Sequence, residues 1–474
     1  MREYLKHYID GHWVDPITPS FLELENPATE EVSGRIVLGS GADVDLAVAA
    51  ARRAFPAWSA TSREHRLDIL AAILSEYEKR SGDLARATTD EMGAPAALAS
   101  GFQIGLGHGH LTTAIEVLKT FPFEEQRGET LITRIPIGVC GLITPWNWPM
   151  NQVAVKVFPA LATGCTVVLK PSELSSFSAA ILAEILEAAG VPAGVFNLVF
   201  GDGPDVGAAM AAHPDIDMIS FTGSTRAGVE IARTAAATVK RVTQELGGKS
   251  ASIILDDADL AQNVASGVHG MMGNSGQTCS APSRMLVPAA RLEEAISIAR
   301  DAAAEVTVGD PNGNFTIGPV VSKAQFDKIQ TLIRQGEAEG ATVVAGGSGR
   351  PDGLEKGYYV RPTVFADVTM DMAIAREEIF GPVLTMLSYS DLDHAIAIAN
   401  ESDYGLAGYV SGKDPAQTRE VARRIKAGWV VINGAFDFNA PFGGVGRSGN
   451  GREWGEFGFH EYVEVKAILG HAPA

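Results

Sequence analysis

A chain of 474 residues, 46% hydrophobic and 20% charged, has an ordinary soluble composition and room for about three folding units of roughly 150 residues each. Its net charge of −19 surrounds it with a field that repels phosphodiesters and anionic lipid, which excludes nucleic acid and membrane surfaces as partners. Cys140, Cys165 and Cys279 are the three cysteines, without CxxC spacing, so a disulfide framework and a zinc site are both unexpected and a reducing compartment follows.

The opening MREYLKHYIDGHW has neither the apolar core of a secretory signal nor the composition of a transit peptide, which makes the cytoplasm the expected location. From Arg63 to Arg80 the residues Leu67, Leu70, Leu74 and Tyr77 recur at helical spacing and predict an amphipathic surface helix. Two uncharged runs, Met92 to Ile115 and Ile135 to Val155, are long enough to span a membrane, but glycines and histidines in the first and three prolines with Asn147, Asn151 and Gln152 in the second rule that out. Phe121 to Gly141 reads as a projecting hairpin turning at Gln126-Arg127-Gly128.

From Cys165 the pattern alternates. Strands are predicted at Cys165 to Leu169, Val195 to Val199, Met218 to Phe221 and toward Leu246, separated by helices ending at Gly190, running through Val206 to Ala212, and opening after Gly223. Such alternation implies right-handed βαβ units, a parallel sheet, and ligands at the carboxyl ends of its strands. A second α/β half begins near Gly247, with strands at Ser252 to Leu255, Ala341 to Val344 and Val383 to Tyr389 and a helix at Leu292 to Val306. Phe459 to Ile468 is expected to form a last strand that pairs with the hairpin and builds a subunit interface.

Several short segments carry chemical potential, each with a plainer alternative. The turn at Gly223-Ser224 offers free N–H groups and a hydroxyl to an anion, though it matches neither GxGxxG nor a P-loop and also reads as simple punctuation. Lys170 and Glu173 end a strand where an acid bonds ribose hydroxyls and repels a 2′-phosphate; a solvated ion pair is the competing account. Cys279 sits in the polar turn Gly276-Gln277-Thr278-Cys279-Ser280, a setting suited to a reactive thiol, whereas Cys165 lies among Val and Leu. Glu245, followed by Gly247 and Gly248, supplies the carboxylate that forming and hydrolysing an acyl-enzyme requires. Asn147, between two prolines and two tryptophans, provides an amide donor suited to an oxyanion hole, or a loop asparagine bonded to its own backbone.

In this order, TPWNWP, LKPSE, FTGST, ELGGK, GQTC, EEIFGPV and PFGGVGRSG resemble the aldehyde dehydrogenase superfamily over almost the whole chain. The resemblance implies an α/β fold: a Rossmann-like NAD-binding domain (1–118 and 138–246), a second α/β catalytic domain (247–448), and an oligomerisation hairpin with a C-terminal strand (119–137 and 449–474). It implies Cys279 as nucleophile, Asn147 as oxyanion donor and Glu245 as hydrolytic base. For the cofactor it implies Thr144, Trp146, Lys170, Ser172, Glu173, Gly203, Gly207, Phe221, Gly223, Ser224, Leu246, Glu378 and Phe380, with NAD preferred over NADP and no metal. Trp148, Asn151, Phe436 and Phe442 are candidate substrate-pocket residues, with Phe438 and Asp437 nearby and core packing as the alternative for each aromatic. The implied partners are a small aldehyde and further copies of the chain, as a homodimer or homotetramer.

Two features depart from the family pattern: Gly446-Arg447 stands where a lysine is common, and the loop from Asn433 to Pro441 is short. A fainter resemblance points to semialdehyde dehydrogenases of aromatic and N-heterocycle breakdown. The rival readings are a CoA-acylating enzyme, a non-catalytic binding or structural member, and a Cys–His hydrolase; Glu245 argues against the first, and the joint presence of Cys279, Glu245 and Asn147 against the second. Against the third, no histidine lies in the motifs.

Overall fold

The structure, a computed structural model, describes residues 1–472. Its largest sheet forms because the segments Val139–Ile143, Thr166–Lys170, Phe196–Leu198 and Met218–Thr222 are buried along their whole length, as strands covered on both faces must be. Five strands run parallel in the spatial order Arg241–Glu245, Met218–Thr222, Val139–Ile143, Thr166–Lys170, Phe196–Leu198. The chain builds outward from Val139–Ile143 to one side and then returns to its other side. Loops leaving the carboxyl ends of Val139–Ile143 and Met218–Thr222 therefore diverge and open a crevice. Those loops carry Thr144–Trp148 and Gly223–Ser224.

The helix Pro149–Thr163 begins with proline at its first turn and stops at Gly164, whose φ of 95° ends it in the left-handed conformation. Every residue of this helix is buried, Lys156 included. The second half holds a seven-stranded sheet in the order Thr342–Ala345, Thr363–Ala366, Val383–Tyr389, Arg284–Pro288, Ala251–Ile254, Ala407–Ser411, Trp429–Ile432, parallel except for its first pair. Among the described residues no helix is long and apolar enough to cross a membrane, and no group of three or more His, Cys, Asp or Glu could hold a metal ion.

Several boundaries differ from the sequence reading. The amphipathic helix continues from Arg63 to Met92, capped by the Ser62 hydroxyl and stopped by Gly93 at φ 76°. The hairpin strands Glu124–Arg127 and Thr130–Pro136 pair Arg127 with Thr130, so the turn is Gly128-Glu129, one residue later than expected. The helix expected at Val206 to Ala212 is a wide turn, Gly203–Gly207, followed by Ala208–Ala212. Phe459 is helical rather than extended: positive φ at Trp454 (71°) and Gly455 (51°) turns the chain into the helix Gly455–Glu461, which buries Phe459 against Phe121 at a centroid distance of 5.3 Å.

The strand Val463–Leu469 follows and pairs over seven residues with Thr130–Pro136. Residues 449–474 accordingly do different things: Gly449–Asn450 pairs with Arg241–Glu245 at the edge of the large sheet, and Val463–Leu469 joins the hairpin. At the other end, Arg2–Tyr4, Phe21–Asn26 and Glu31–Val37 form a separate three-stranded sheet, while His7–Ile9 and His12–Val14 extend the large one.

On the helix Ile104–Thr120, His110 is buried with Nε2 2.9 Å from Asn151 Oδ1, and burial holds its imidazole down at about 4. The unfolded chain takes up that proton near pH 6.5, so the contribution present above that pH is lost as pH falls toward 4. Between pH 6.5 and 4 the protein should lose on the order of 3 kcal/mol through this residue, and the melting temperature of a His110→Gln variant should fall less than that of the parent over the same interval.

Candidate active site

The crevice at the switch point faces the second α/β half and closes into a cleft of about 190 Å³. One wall is Pro145, Trp146, Asn147, Thr222, Gly223, Ser224 and Leu246; the other is Cys279, Gln325, Lys328, Glu378 and Phe380, with Gly247 between them. Trp146 meets Phe380 edge to face at 5.4 Å. A wider polar groove of about 570 Å³ continues from Ser224, Lys328 and Glu378 past Arg226, Tyr404 and Arg447, so the two hollows share a rim and can hold one elongated ligand.

The two glycines of ELGGK explain how both walls come so close. A Cβ on Gly248 would lie 2.5 Å from the Cys279 carbonyl, and one on Gly247 would lie 2.7 Å from Glu378 Oε2. The Gly248 N–H donates to Glu378 Oε1 at 2.9 Å. Any side chain at either position would push the thiol or the acid out of the cleft.

Cys279 is half-buried, unlike Cys140 and Cys165, which are fully buried. Burial pushes its thiol up to about 12; the Glu378 and Glu245 carboxyls add to this, and the Ser280 N–H opposes it. A thiol so placed is protonated at neutral pH and needs help to become a nucleophile.

Asn147 is buried, and its side-chain amide donates to the Gln277 carbonyl at 3.0 Å, two residues before Cys279. Glu245 ends the strand Arg241–Glu245, is buried, and neither carboxyl oxygen has a hydrogen-bond partner within the protein. Desolvation, reinforced by the Glu453 charge, raises its pKa well above the carboxylate range, while Lys156 and Arg452 pull it down. Lys156 forms an ion pair with Glu453 and donates to Ser220 Oγ at 3.2 Å, so Glu245 lies above a buried charged pair.

Of the remaining residues singled out by sequence, Lys170, Ser172, Glu173, Gly203 and Gly207 lie outside the cleft, where the first sheet presents the carboxyl ends of Thr166–Lys170 and Phe196–Leu198. Lys170 is buried, with Nζ donating to Pro171 O at 2.9 Å and 3.6 Å from Glu173 Oε2. A Cβ on Gly207 would come within 3.8 Å of Lys170 Cδ. Ser172 caps its own turn through the Leu174 N–H, and Ser224 caps the helix Thr225–Ala235 through the Ala227 N–H. Thr144 and Phe221 are buried behind the cleft wall rather than in it, Phe221 packing under Gly223.

Of the substrate-pocket candidates, Phe436 and Phe442 belong to an aromatic group around Trp454, whereas Trp148 packs against Phe102. Trp148 donates from Nε1 to Thr278 Oγ1 at 3.0 Å, one residue from Cys279. Phe442 stacks on Trp454 at 4.8 Å and is buried, whereas Phe436 is half exposed and meets Phe438 at 4.9 Å. Asn151 is buried, with its amide oxygen 2.9 Å from His110 Nε2.

Sequence reasoning passed over Gln325, Lys328, Lys156, Glu453 and Trp454. Lys156 had a signal, as the one charge in an otherwise uncharged helix. Gln325 and Lys328 had none, because they belong to the helix Lys323–Ala338, which is polar along most of its length.

Residues 13–468 match the profile of the aldehyde dehydrogenase family. The chain belongs to that family. It is 56% identical to a 3-succinoylsemialdehyde-pyridine dehydrogenase of a Pseudomonas species, covering 99% of both chains, and 48% identical to a putative aldehyde dehydrogenase of Staphylococcus aureus over 99% of this chain and 100% of that one. Among solved aldehyde dehydrogenases, a mutant of aldehyde dehydrogenase C from Pseudomonas syringae in complex with NAD+ and octanal superposes with a TM-score of 0.98 at 54% identity, covering 99% of this chain and 97% of that one. Betaine aldehyde dehydrogenase from Staphylococcus aureus in complex with NAD+ superposes with a TM-score of 0.95 at 35% identity, over 99% and 96% of the two chains. These family comparisons support the α/β fold expected from the sequence.

Because the resting Cys279 thiol is protonated, its alkylation by iodoacetamide should be slow at pH 7 and accelerate close to tenfold per pH unit up to about pH 10. Peptide mapping of the modified protein checks this; a rate that levels off below pH 8 would contradict it.

Proposed function

We propose that this aldehyde dehydrogenase converts an aldehyde to the free carboxylic acid with NAD, through a thioester on Cys279. The observation that carries the reading is the meeting, in one cleft, of the Cys279 thiol, the Asn147 amide and the rings of Trp146 and Phe380. Once its proton has passed to solvent water, Cys279 Sγ adds to the aldehyde carbon, and the oxygen that becomes negative is held by the Asn147 side chain and the Cys279 N–H. Bound NAD would accept the hydride that leaves as the tetrahedral adduct collapses. Glu245 takes a proton from the water that attacks the thioester; burial raises its pKa and Lys156 and Arg452 lower it, so deacylation gains from the pull of those two cations. Water rather than CoA is the acceptor, since a thiol acceptor would need no such base.

The residues of the cleft, with those at the neighbouring strand ends of the first sheet, fit a dinucleotide. Glu173 beside Lys170 suits the adenosine ribose, with Ser172 and the Gly203–Gly207 turn leaving room beside them. Gly223 and Ser224, backed by Phe221, suit the pyrophosphate, and Glu378 with Phe380 the second ribose. Trp146 and Leu246 complete the walls, with Thr144 behind them. The division into an NAD-binding domain around the first sheet and a catalytic domain around the second follows from the same reading.

For the substrate, Trp148, Phe436 and Phe442 with Trp454 favour an aldehyde with an apolar or aromatic body. The pyridine semialdehyde dehydrogenase relative and the octanal complex both support that choice. The chain works in the cytoplasm as a homodimer or homotetramer: Trp429–Ile432 and Val463–Leu469 are both open sheet edges, and Val465 and Leu469 are exposed on the latter.

Cys279→Ala should abolish oxidation with NAD affinity unchanged within a few-fold. Glu245→Gln should instead give a burst of NADH followed by an acyl group on Cys279 that intact-mass measurement detects; a variant that binds both ligands yet shows neither would reassign Glu245 to thiol activation. NAD should exceed NADP in kcat/KM, because Glu173 repels the 2′-phosphate. Glu173→Gln should narrow the ratio, and equal or better efficiency of the parent with NADP would refute the assignment.

A further inference from the structure

The segment Gly273–Gly276 holds three consecutive residues in left-handed backbone: Asn274 at φ 53°, Ser275 at φ 54° and Gly276 at φ 71°. L side chains adopt this conformation at a cost, and two in succession persist only where the surroundings over-determine them. Gly276 is required, since a Cβ there would run into the Gly381 carbonyl.

The side chains show what holds the segment. Ser275 Oγ donates to Gly318 O at 2.8 Å, and the Val321 N–H donates to Gln277 Oε1 at 2.9 Å. Gln277 Nε2 donates to Asn274 O at 3.2 Å. Gln103, buried at the end of the wide turn Ala99–Gln103, donates from Nε2 to Asn274 Oδ1 at 3.0 Å. That bond leaves the Asn274 amide nitrogen facing two carbonyls, Asn147 O at 2.9 Å and Gln277 O at 3.3 Å.

Gln277 O also receives the Asn147 side-chain amide. Asn147 is thus held at both ends by one strained turn: its carbonyl by Asn274 and its carboxamide by Gln277. One N–H of that carboxamide is spent on Gln277 O, and the second has no acceptor among the described residues.

We propose that Asn274, oriented by Gln103, is a positioning residue for oxyanion stabilisation, fixing the Asn147 loop so that the second amide N–H is already aimed when the aldehyde oxygen becomes negative. The proposal rests on the reading of Asn147 as oxyanion donor. A neutral amide serves here because a carboxylate in its place would set a negative charge beside the developing one and face two carbonyls without a proton to offer. Strain stored in the turn resists the small displacements that weaken a preorganised donor.

The test is the rate of the NADH burst in rapid mixing, with saturating NAD and octanal. Asn274→Gly keeps a residue at ease with positive φ and removes only the amide. Its burst should slow by roughly 10- to 100-fold, with KM for octanal and Kd for NAD within threefold of the parent. Combined with Asn147→Ala it should cause no further loss, because both changes disable one donor. Gln103→Met should slow the burst in the same direction by a smaller factor, and it decides the matter if Asn274→Gly does not fold. A parental burst rate in these variants, or losses that multiply with Asn147→Ala, overturns the positioning role. A parental rate in Asn147→Ala itself overturns the oxyanion reading along with it, which separates the two failures.

Discussion

A carboxyl group buried with neither oxygen paired is among the costliest features a fold can keep, and Glu245 is one. Burial without a partner pushes its pKa up, and the neighbourhood decides how far. Glu453 pushes its pKa up; Lys156 and Arg452 draw it down. Lys156 can do so only because the helix Pro149–Thr163 buries it beneath the large sheet, where Glu453 and Ser220 satisfy it. Glu245, the helix Pro149–Thr163 and the returning segment after Gly449 are therefore one electrostatic arrangement, built from three distant stretches of chain.

The same economy governs the thiol. Cys279 and Glu378 approach the first sheet only across Gly247 and Gly248, and each acid near the thiol makes it harder to ionise. Burial disfavours ionisation of both the Cys279 thiol and the Glu245 carboxyl. Such a cleft is stable and unreactive until a ligand changes its solvation, which suits an enzyme that must not alkylate or oxidise its nucleophile while waiting for substrate.

Legibility followed the range of the interactions. The parallel sheet was readable because fully buried strands are continuous apolar runs and helices carry their own periodicity. Cys279, Asn147 and Glu245 were readable from local chemistry and from motif resemblance, since each sits among glycines or prolines that have no purpose in a plain core. Phe459 was misread as strand because its apolar surroundings say only that it is buried; the left-handed Trp454 and Gly455 that make it helical depend on packing against Phe121 and the helices below. The contact of Asn151 with His110, forty-one positions earlier, had no local signal either.

The sequence alone determined the α/β class, the acidic surface, the family resemblance and the residue types able to do acyl chemistry, because composition, periodicity and short motifs are properties of neighbours along the chain. Only the tertiary structure decided that burial raises the pKa of both the Cys279 thiol and the Glu245 carboxyl, that Lys156 lies in a charged pair near Glu245, and that Asn274 and Gln277 grip Asn147. Protonation depends on desolvation and on charges brought near by folding, and a hydrogen bond between residues 147 and 274 has no trace in either local segment.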